Sequence, residues 1–405
     1  MLKKLFIFFL LITTAFSKVY WFGYYETELD YISLPDKQLY TNYHKLRLDM
    51  DVSPSNNIRI AGNVIYKHFE GETEYDFMNF LPEYYHTLRY SDGEPIVKIP
   101  SFEYNLQDTL FIDNIFLELH HQYFDLIIGK QQLPTGSGYA WNPTDIFNTK
   151  DIFDPTYENR GVNAFQLKIP LGVRYNLTGI IEPAENVDEF KQYYEIKAWL
   201  GNFDIALSYS RSQYDPTSVN DLLAQYTDVP MNRASLVLNP AVTREIAGFD
   251  AEGELLGLGV RTEIAANRID FNNDALHYEY IVGADYTFRN SLYIMTEYYH
   301  NDFGVPAQKT ELINYLNYFN YEIKSLNQNY ILGMVRYPIT DLIDVSLSSI
   351  ANLDDESMTI NPKIVYRIYQ DVELTLFGNY FYGNDQRDEF GYQEAMVRLR
   401  LRAYF

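Results

Sequence analysis

The 405-residue chain contains no cysteine, which excludes disulfide frameworks, thiolate metal centres and catalytic thiols. Positive charge is scarce. There are 32 lysines and arginines against 55 aspartates and glutamates, a formal net charge of −23, and this argues against a nucleic-acid partner, because phosphate binding runs on clustered basic residues. Long apolar runs are missing too, so a polytopic helical membrane protein, which needs several stretches of about 20 apolar residues, is excluded. Aromatic residues, in contrast, are abundant: 38 tyrosines and 26 phenylalanines. A disordered chain does not carry so many, and aromatic side chains favour strands. The mean hydropathy is −0.28 although 47% of residues are hydrophobic, so apolar and polar residues are interleaved rather than segregated.

The first residues depart from that pattern. Lys3 and Lys4 precede the apolar run Leu5 to Phe16, with small residues Ala15 and Ser17 near its end. This is the layout of a secretory signal peptide over residues 1–17, leaving 18–405 as a single exported domain. With no cysteine after the run, a lipoprotein anchor has no attachment point.

Beyond it the sequence alternates with period 2. Leu46, Leu48, Met50 and Val52 share one face, and Lys45, Arg47, Asp49 and Asp51 the other. Val397, Leu399, Leu401 and Ala403 alternate likewise with Arg398, Arg400, Arg402 and Tyr404. One apolar and one charged face describe a half-buried strand. About 18 such segments are predicted, with 16 as the alternative, at 19–29, 40–52, 57–68, 113–121, 124–132, 162–170, 173–182, 191–200, 203–212, 243–252, 256–267, 277–289, 291–300, 328–337, 341–351, 357–368, 371–382 and 392–405. Every second connection is short and the intervening ones are usually longer, the longest at 69–112, 133–161, 213–242 and 301–327. A soluble sandwich has no reason to sort its loops this way. A transmembrane antiparallel β-barrel does, with short periplasmic turns and long extracellular loops. Tyrosines near segment ends (Tyr193-Tyr194, Tyr298-Tyr299, Tyr380 to Tyr382) suit the two lipid–water interfaces.

Two stretches carry a resemblance. The C-terminal strand ends in Phe405 after apolar positions 399, 401 and 403, which looks like the terminal signal of Gram-negative outer-membrane barrels and implies the barrel-assembly machinery as a partner. Gly129-Lys130-Gln131-Gln132, then Gly136-Ser137-Gly138 and Trp141-Asn142-Pro143-Thr144-Asp145, resemble the Gly-Arg-Gln…Trp-Gly…Asn-Pro-x-Asp stretch of porin-like outer-membrane proteins, the broad group that includes alginate-export-type barrels. Leu133-Pro134-Thr135 departs from that pattern. The match spans about 35 residues and implies a porin-like barrel in the outer membrane.

A barrel of this size encloses an aqueous lumen. The charged face supplies pore-lining candidates: Arg47, Arg59, Arg261, Asp285, Arg289, Glu297, Arg336, Lys363, Arg367, Arg398, Arg400 and Arg402. The loop 133–161 is predicted to fold inward as a constriction, with Trp141 and Pro143 stiffening its turn and Asn142, Asp145, Asp151, Asp154 and Arg160 among its polar residues. At the closing seam, Glu26 is expected near Arg398, leaving Arg402 a free charge beside Tyr20 and Phe22. Acidic clusters at Asp354 to Glu356 and Asp385 to Glu389 are weak Ca²⁺ candidates by their oxygen ligands; no other cofactor is indicated. Enzymatic activity is not expected: none of the seven histidines is followed by the His-x-Ser-Asn-Gly pattern of outer-membrane phospholipases, and no phosphate-binding glycine loop opens a helix. The expected function is passive diffusion of small polar or charged solutes. Two other roles stay open: a structural or adhesive barrel without transport, and a sheath for a periplasmic electron-transfer partner.

Overall fold

The computed structural model describes residues 19–34, 37–76, 81, 103–148, 150–155, 157–214, 242–269, 275–310, 314–315, 318, 323–383, 388–391 and 394–405. The expected signal segment 1–17 and residues 385–387 of the second acidic cluster lie outside them. Twenty strands follow in chain order. The first ten are β1 (Val19–Ser33), β2 (Gln38–Ser55), β3 (Ile58–Gly71), β4 (Glu74–Asp76), β5 (Glu103–Asn105), β6 (Thr109–His121), β7 (Phe124–Gln131), β8 (Val162–Leu171), β9 (Tyr175–Glu182) and β10 (Lys191–Leu200). The rest are β11 (Phe203–Tyr214), β12 (Val242–Leu255), β13 (Leu258–Ile269), β14 (Leu276–Thr287), β15 (Tyr293–Asn301), β16 (Asn329–Thr340), β17 (Ile343–Asn352), β18 (Met358–Tyr369), β19 (Val372–Tyr382) and β20 (Ala395–Tyr404).

Eighteen of these strands form one sheet, all neighbours antiparallel, and β1 pairs with β20, so the sheet closes on itself. Closure removes both sheet edges and satisfies the backbone internally, the condition for crossing lipid. The remaining two, β4 and β5, form a separate short hairpin within the connection between β3 and β6.

Sequence alternation becomes wall geometry. Leu207, Ile264, Val282, Leu347, Ile364, Leu376 and Leu399 are exposed on the outer face, an apolar surface of the kind that lipid covers. Exposed tyrosines bracket this apolar band on the same face. Tyr175, Tyr286, Tyr337 and Tyr366 lie at the short-turn end, and Tyr66, Tyr194, Tyr209, Tyr278 and Tyr380 lie toward the long-loop end. Both chain ends of the barrel sit at the short-turn side. There Phe405 exchanges two backbone hydrogen bonds with Gly23, each of 3.0 Å.

The strand starting at 277 stops at Thr287 rather than 289. Arg289 therefore stands exposed in the turn 288–292, not on the lumen wall where the alternation placed it.

Candidate functional site

The connection from β7 to β8, residues 132–161, enters the barrel and touches its wall on opposite sides. Its first half is held by the backbone. Gly136 adopts φ +79°, and a Cβ there would lie 2.5 Å from Glu263 Oε2; a Cβ on Gly138 would collide with the Trp141 carbonyl. Only glycine lets the chain pass this close. The N–H groups of Ser137 and Thr144 then donate to Glu263 at 2.9 and 2.6 Å, and the Thr144 hydroxyl adds a bond of 2.8 Å. The N–H groups of Tyr139, Ala140 and Trp141 donate to Glu297 at 2.7, 2.8 and 3.3 Å. Both wall carboxylates are fully buried, at 0% exposure. Burying two carboxylates is tolerable only because each accepts several directed donors.

Further contacts lock the same half. Trp141 stacks on Tyr299 with ring centroids 5.0 Å apart and packs against Tyr330. The amide of Asn142 donates to the Thr135 carbonyl at 2.7 Å, and Asp145 accepts N–H bonds from Phe147 and Asn148 at 2.8 and 3.0 Å. Burial raises the Asp145 pKa, opposed chiefly by Lys324. Lys324, from the connection between β15 and β16, donates to the carbonyls of Asn142, Pro143 and Asp145. Burial pushes its pKa down, and Glu279 opposes that shift. The Gly-Ser-Gly and Trp-Asn-Pro-Thr-Asp segments are therefore the fastening of the loop.

The second half is held by side chains. Asp154 forms ion pairs with Lys363 and Arg400, each at 3.2 Å. Glu158 meets Lys45 at 2.9 Å, Arg47 at 3.1 Å and the Tyr24 hydroxyl at 2.9 Å. Tyr157 donates to Glu26 at 3.2 Å. Burial raises the pKa of Asp154 and Glu158, but Lys363 and Arg400 for the first, and Lys45 and Arg47 for the second, outweigh it and hold both below the usual carboxylate range.

This limb separates two cavities. One of about 740 Å³ opens toward the short turns and is lined by Arg336, Asp344, Lys363, Arg367 and Arg402. One of about 510 Å³ opens toward the long loops and is lined by Asp151, Arg160, Lys191, Arg244 and Lys324. Tyr157 and Glu158 line both.

Several expected roles change. At the seam the register pairs Glu26 with Arg402, Glu28 with Arg400 and Asp30 with Arg398, a shift of four residues from the expected Glu26–Arg398 contact. Arg402 is not free: its Nε donates to Glu26 at 2.6 Å, and its guanidinium lies 4.6 Å from the Tyr24 ring centre. Arg398 has the looser contact, 3.8 Å from Asp30. Glu297, expected on the pore wall, is covered by the loop. Of the residues named in the inward loop, Trp141, Asn142, Pro143 and Asp145 are buried in the fastening, while Asp154, with Tyr157 and Glu158, takes the lumenal position. Asp285 pairs with Arg261, while Arg59 bridges Asp51 and Glu118 at 2.7 and 3.2 Å. Arg336 and Arg367 share Asp344 at 3.3 and 3.1 Å.

At the rim, Asp354 accepts the N–H groups of Gln328 and Asn329 at 2.7 and 2.8 Å, and Asp355 those of Ser357 and Glu389, both at 2.8 Å. These oxygens hold the loops together, and among the described residues no three ligating side chains gather as a metal group. Glu389 is buried beside Tyr330 and Asn352; burial first, then Asp355, push its pKa up to about 8.

No family model and no curated protein matches the sequence. Solved structures do match the fold. Acinetobacter baumannii OccAB1 aligns over 96% of this chain and 97% of its own, with a TM-score of 0.56 and 9% identity. OccAB4 of the same organism aligns over 96% and 98%, with a TM-score of 0.54 and 9% identity. The likeness shows the fold, a closed antiparallel β-barrel.

Proposed function

We propose that this porin-type barrel is an outer-membrane channel for passive diffusion of small polar or charged solutes, with its narrowest passage at Tyr157 and Glu158. The observation that carries the reading is that these two residues line both cavities, so the two water-accessible halves of the lumen meet at one loop limb. The surrounding wall fits that role. Lys45, Arg47, Arg400 and Arg402 face Asp154, Glu158, Glu26 and Glu28, a balanced set whose desolvation would be costly in a dry core. Mutual pairing offsets that cost for the buried Glu26, Glu28, Lys45 and Asp154, and Glu158, Arg400 and Arg402 keep surface on the cavities. Passive conduction needs no covalent chemistry, so we read no enzymatic activity into the lumen. We read Phe405 as the assembly signal; its deletion is expected to lower the yield of folded barrel in membranes.

Planar-bilayer recording of the purified protein is the test. Discrete ohmic steps are expected. Silent membranes containing folded barrel would overturn the channel reading. The loop–wall ion pairs favour one competing role, a plugged structural barrel. Current seen only after deletion of residues 139–156 would establish that role instead.

A further inference from the structure

On the outer face, near the long loops, four neighbouring strands place one residue each in a single cross-strand row. Gln192 of β10 pairs with Arg211 of β11, Arg211 with Glu245 of β12, and Glu245 with Arg268 of β13. Their parity is that of Tyr194, Leu207 and Ile264, the lipid-facing set. At roughly 3.3 Å per residue and a tilt of about 40°, both arginines stand roughly 25 Å above the short turns. That is the upper edge of an apolar band about 25 Å tall.

The row one step below runs Tyr194, Tyr209, Ala247, Ala266 and Tyr278. Tyrosines thus flank two alanines, which leaves a shallow trough in the wall. Above it lies a hollow of about 280 Å³ lined by Gln192, Tyr209, Arg211, Thr243, Glu245 and Arg268. Glu245 pairs with Arg268 and accepts the Tyr209 hydroxyl at 2.6 Å. The Arg211 side chain forms no hydrogen bond or ion pair among the described residues.

We propose that this hollow binds the phosphate group of a phosphorylated glycolipid in the outer leaflet. Two guanidinium groups bracket the hollow, and the planar guanidinium fork matches phosphate oxygens. Glu245 orients Arg268, with which it pairs. Acyl chains rest over Ala247 and Ala266, and Tyr194, Tyr209 and Tyr278 mark the headgroup level. The polar patch elsewhere on the outer face has the opposite character. There His44 and His68 stack beside Glu70 and Asp108, and those carboxylates repel an anionic headgroup. The proposal rests on the barrel lying in an outer membrane and is independent of conduction.

Native mass spectrometry of the full barrel in detergent tests it with three probes: a bis-phosphorylated glycolipid, the same lipid dephosphorylated, and inorganic phosphate. The phosphorylated lipid is expected to be retained at one copy, with at least tenfold weaker binding in the Arg211→Gln/Arg268→Gln variant and unchanged single-channel conductance. The dephosphorylated lipid should bind wild type no better than the phosphorylated lipid binds the variant. Equal retention of both lipids by wild type, or equal binding by a folded variant, overturns the site. Full displacement by millimolar inorganic phosphate overturns its assignment to lipid. If the variant fails to fold, the two lipids on wild type decide the question alone.

Discussion

The two halves of the inward loop solve the same problem with inverted chemistry. In the first half, residues 136–145, the carboxylates belong to the wall and the donors to the loop backbone. In the second half, residues 154–158, the carboxylates belong to the loop and the cations to the wall. The difference is one of tolerance. A row of backbone N–H groups reaches a buried carboxylate only along one chain path, so it fixes shape. Ion pairs between long side chains hold the position of the limb without dictating its backbone path, although Lys45 and Asp154 are themselves buried, at 2% and 5% exposure. The first half is a fastening, and the second is the part able to respond.

The largest effect is expected at the fastening. Glu263→Ala and Glu297→Ala each strand several buried N–H groups, a loss of about 3–5 kcal/mol. Denaturant unfolding of refolded barrel measures it, and emission from Trp141 should shift red. A loss below about 1 kcal/mol would erase the contrast between the halves.

The seam comes next, because it forms the wall behind the second half. Arg402→Glu leaves Glu26, at 0% exposure, facing a second carboxylate and should cost about 3–5 kcal/mol. Arg398→Glu, with its 3.8 Å contact to Asp30, should cost about 1 kcal/mol. The reverse order in thermal melts would show that the seam register differs in the membrane.

Glu158→Gln leaves the buried Lys45 without its carboxylate partner and should cost about 1–3 kcal/mol, less than the fastening changes, while raising single-channel conductance and shifting reversal potential toward anions. Unchanged selectivity would remove Glu158 from the passage.

The smallest effect is that of pH. Asp154 and Glu158 have depressed folded-state pKa values, so their contribution is present above their unfolded values near 4 and is lost as pH falls through the depressed values. Conductance should be flat from pH 8 to 5 and rise below about 4. The Glu389 contact at the rim has the opposite sign. Its pKa is raised to about 8, so its contribution is full below the ordinary glutamate range and is lost as pH climbs through 8. Hydrogen exchange of residues 388–391 at pH 6 and 9 would read it separately.

Period 2 alone determined the wall of this protein. Alternation depends on each residue's immediate neighbours, so 18 strands, their inward faces and the sorting of short turns from long loops could be read from the chain directly. The Gly136-Ser137-Gly138 and Trp141 to Asp145 segments are also visible in the chain as motifs, whereas their contacts with Glu263 and Glu297 depend on β13 and β15 being brought to them. Glu158 was visible as one acid among several in a long loop. Lys324 gave no signal, since a single lysine in a connection has no local pattern. Arg211 and Arg268 did leave one, arginine at apolar parity near a strand end. What only the tertiary structure decided was which distant residues meet. The offset of β1 against β20 depends on the stagger accumulated around the closed barrel, and each strand's own alternation is satisfied by a slip of two residues. That is why Glu26 could be placed on the inner face from sequence, while its partner, Arg402 rather than Arg398, could not.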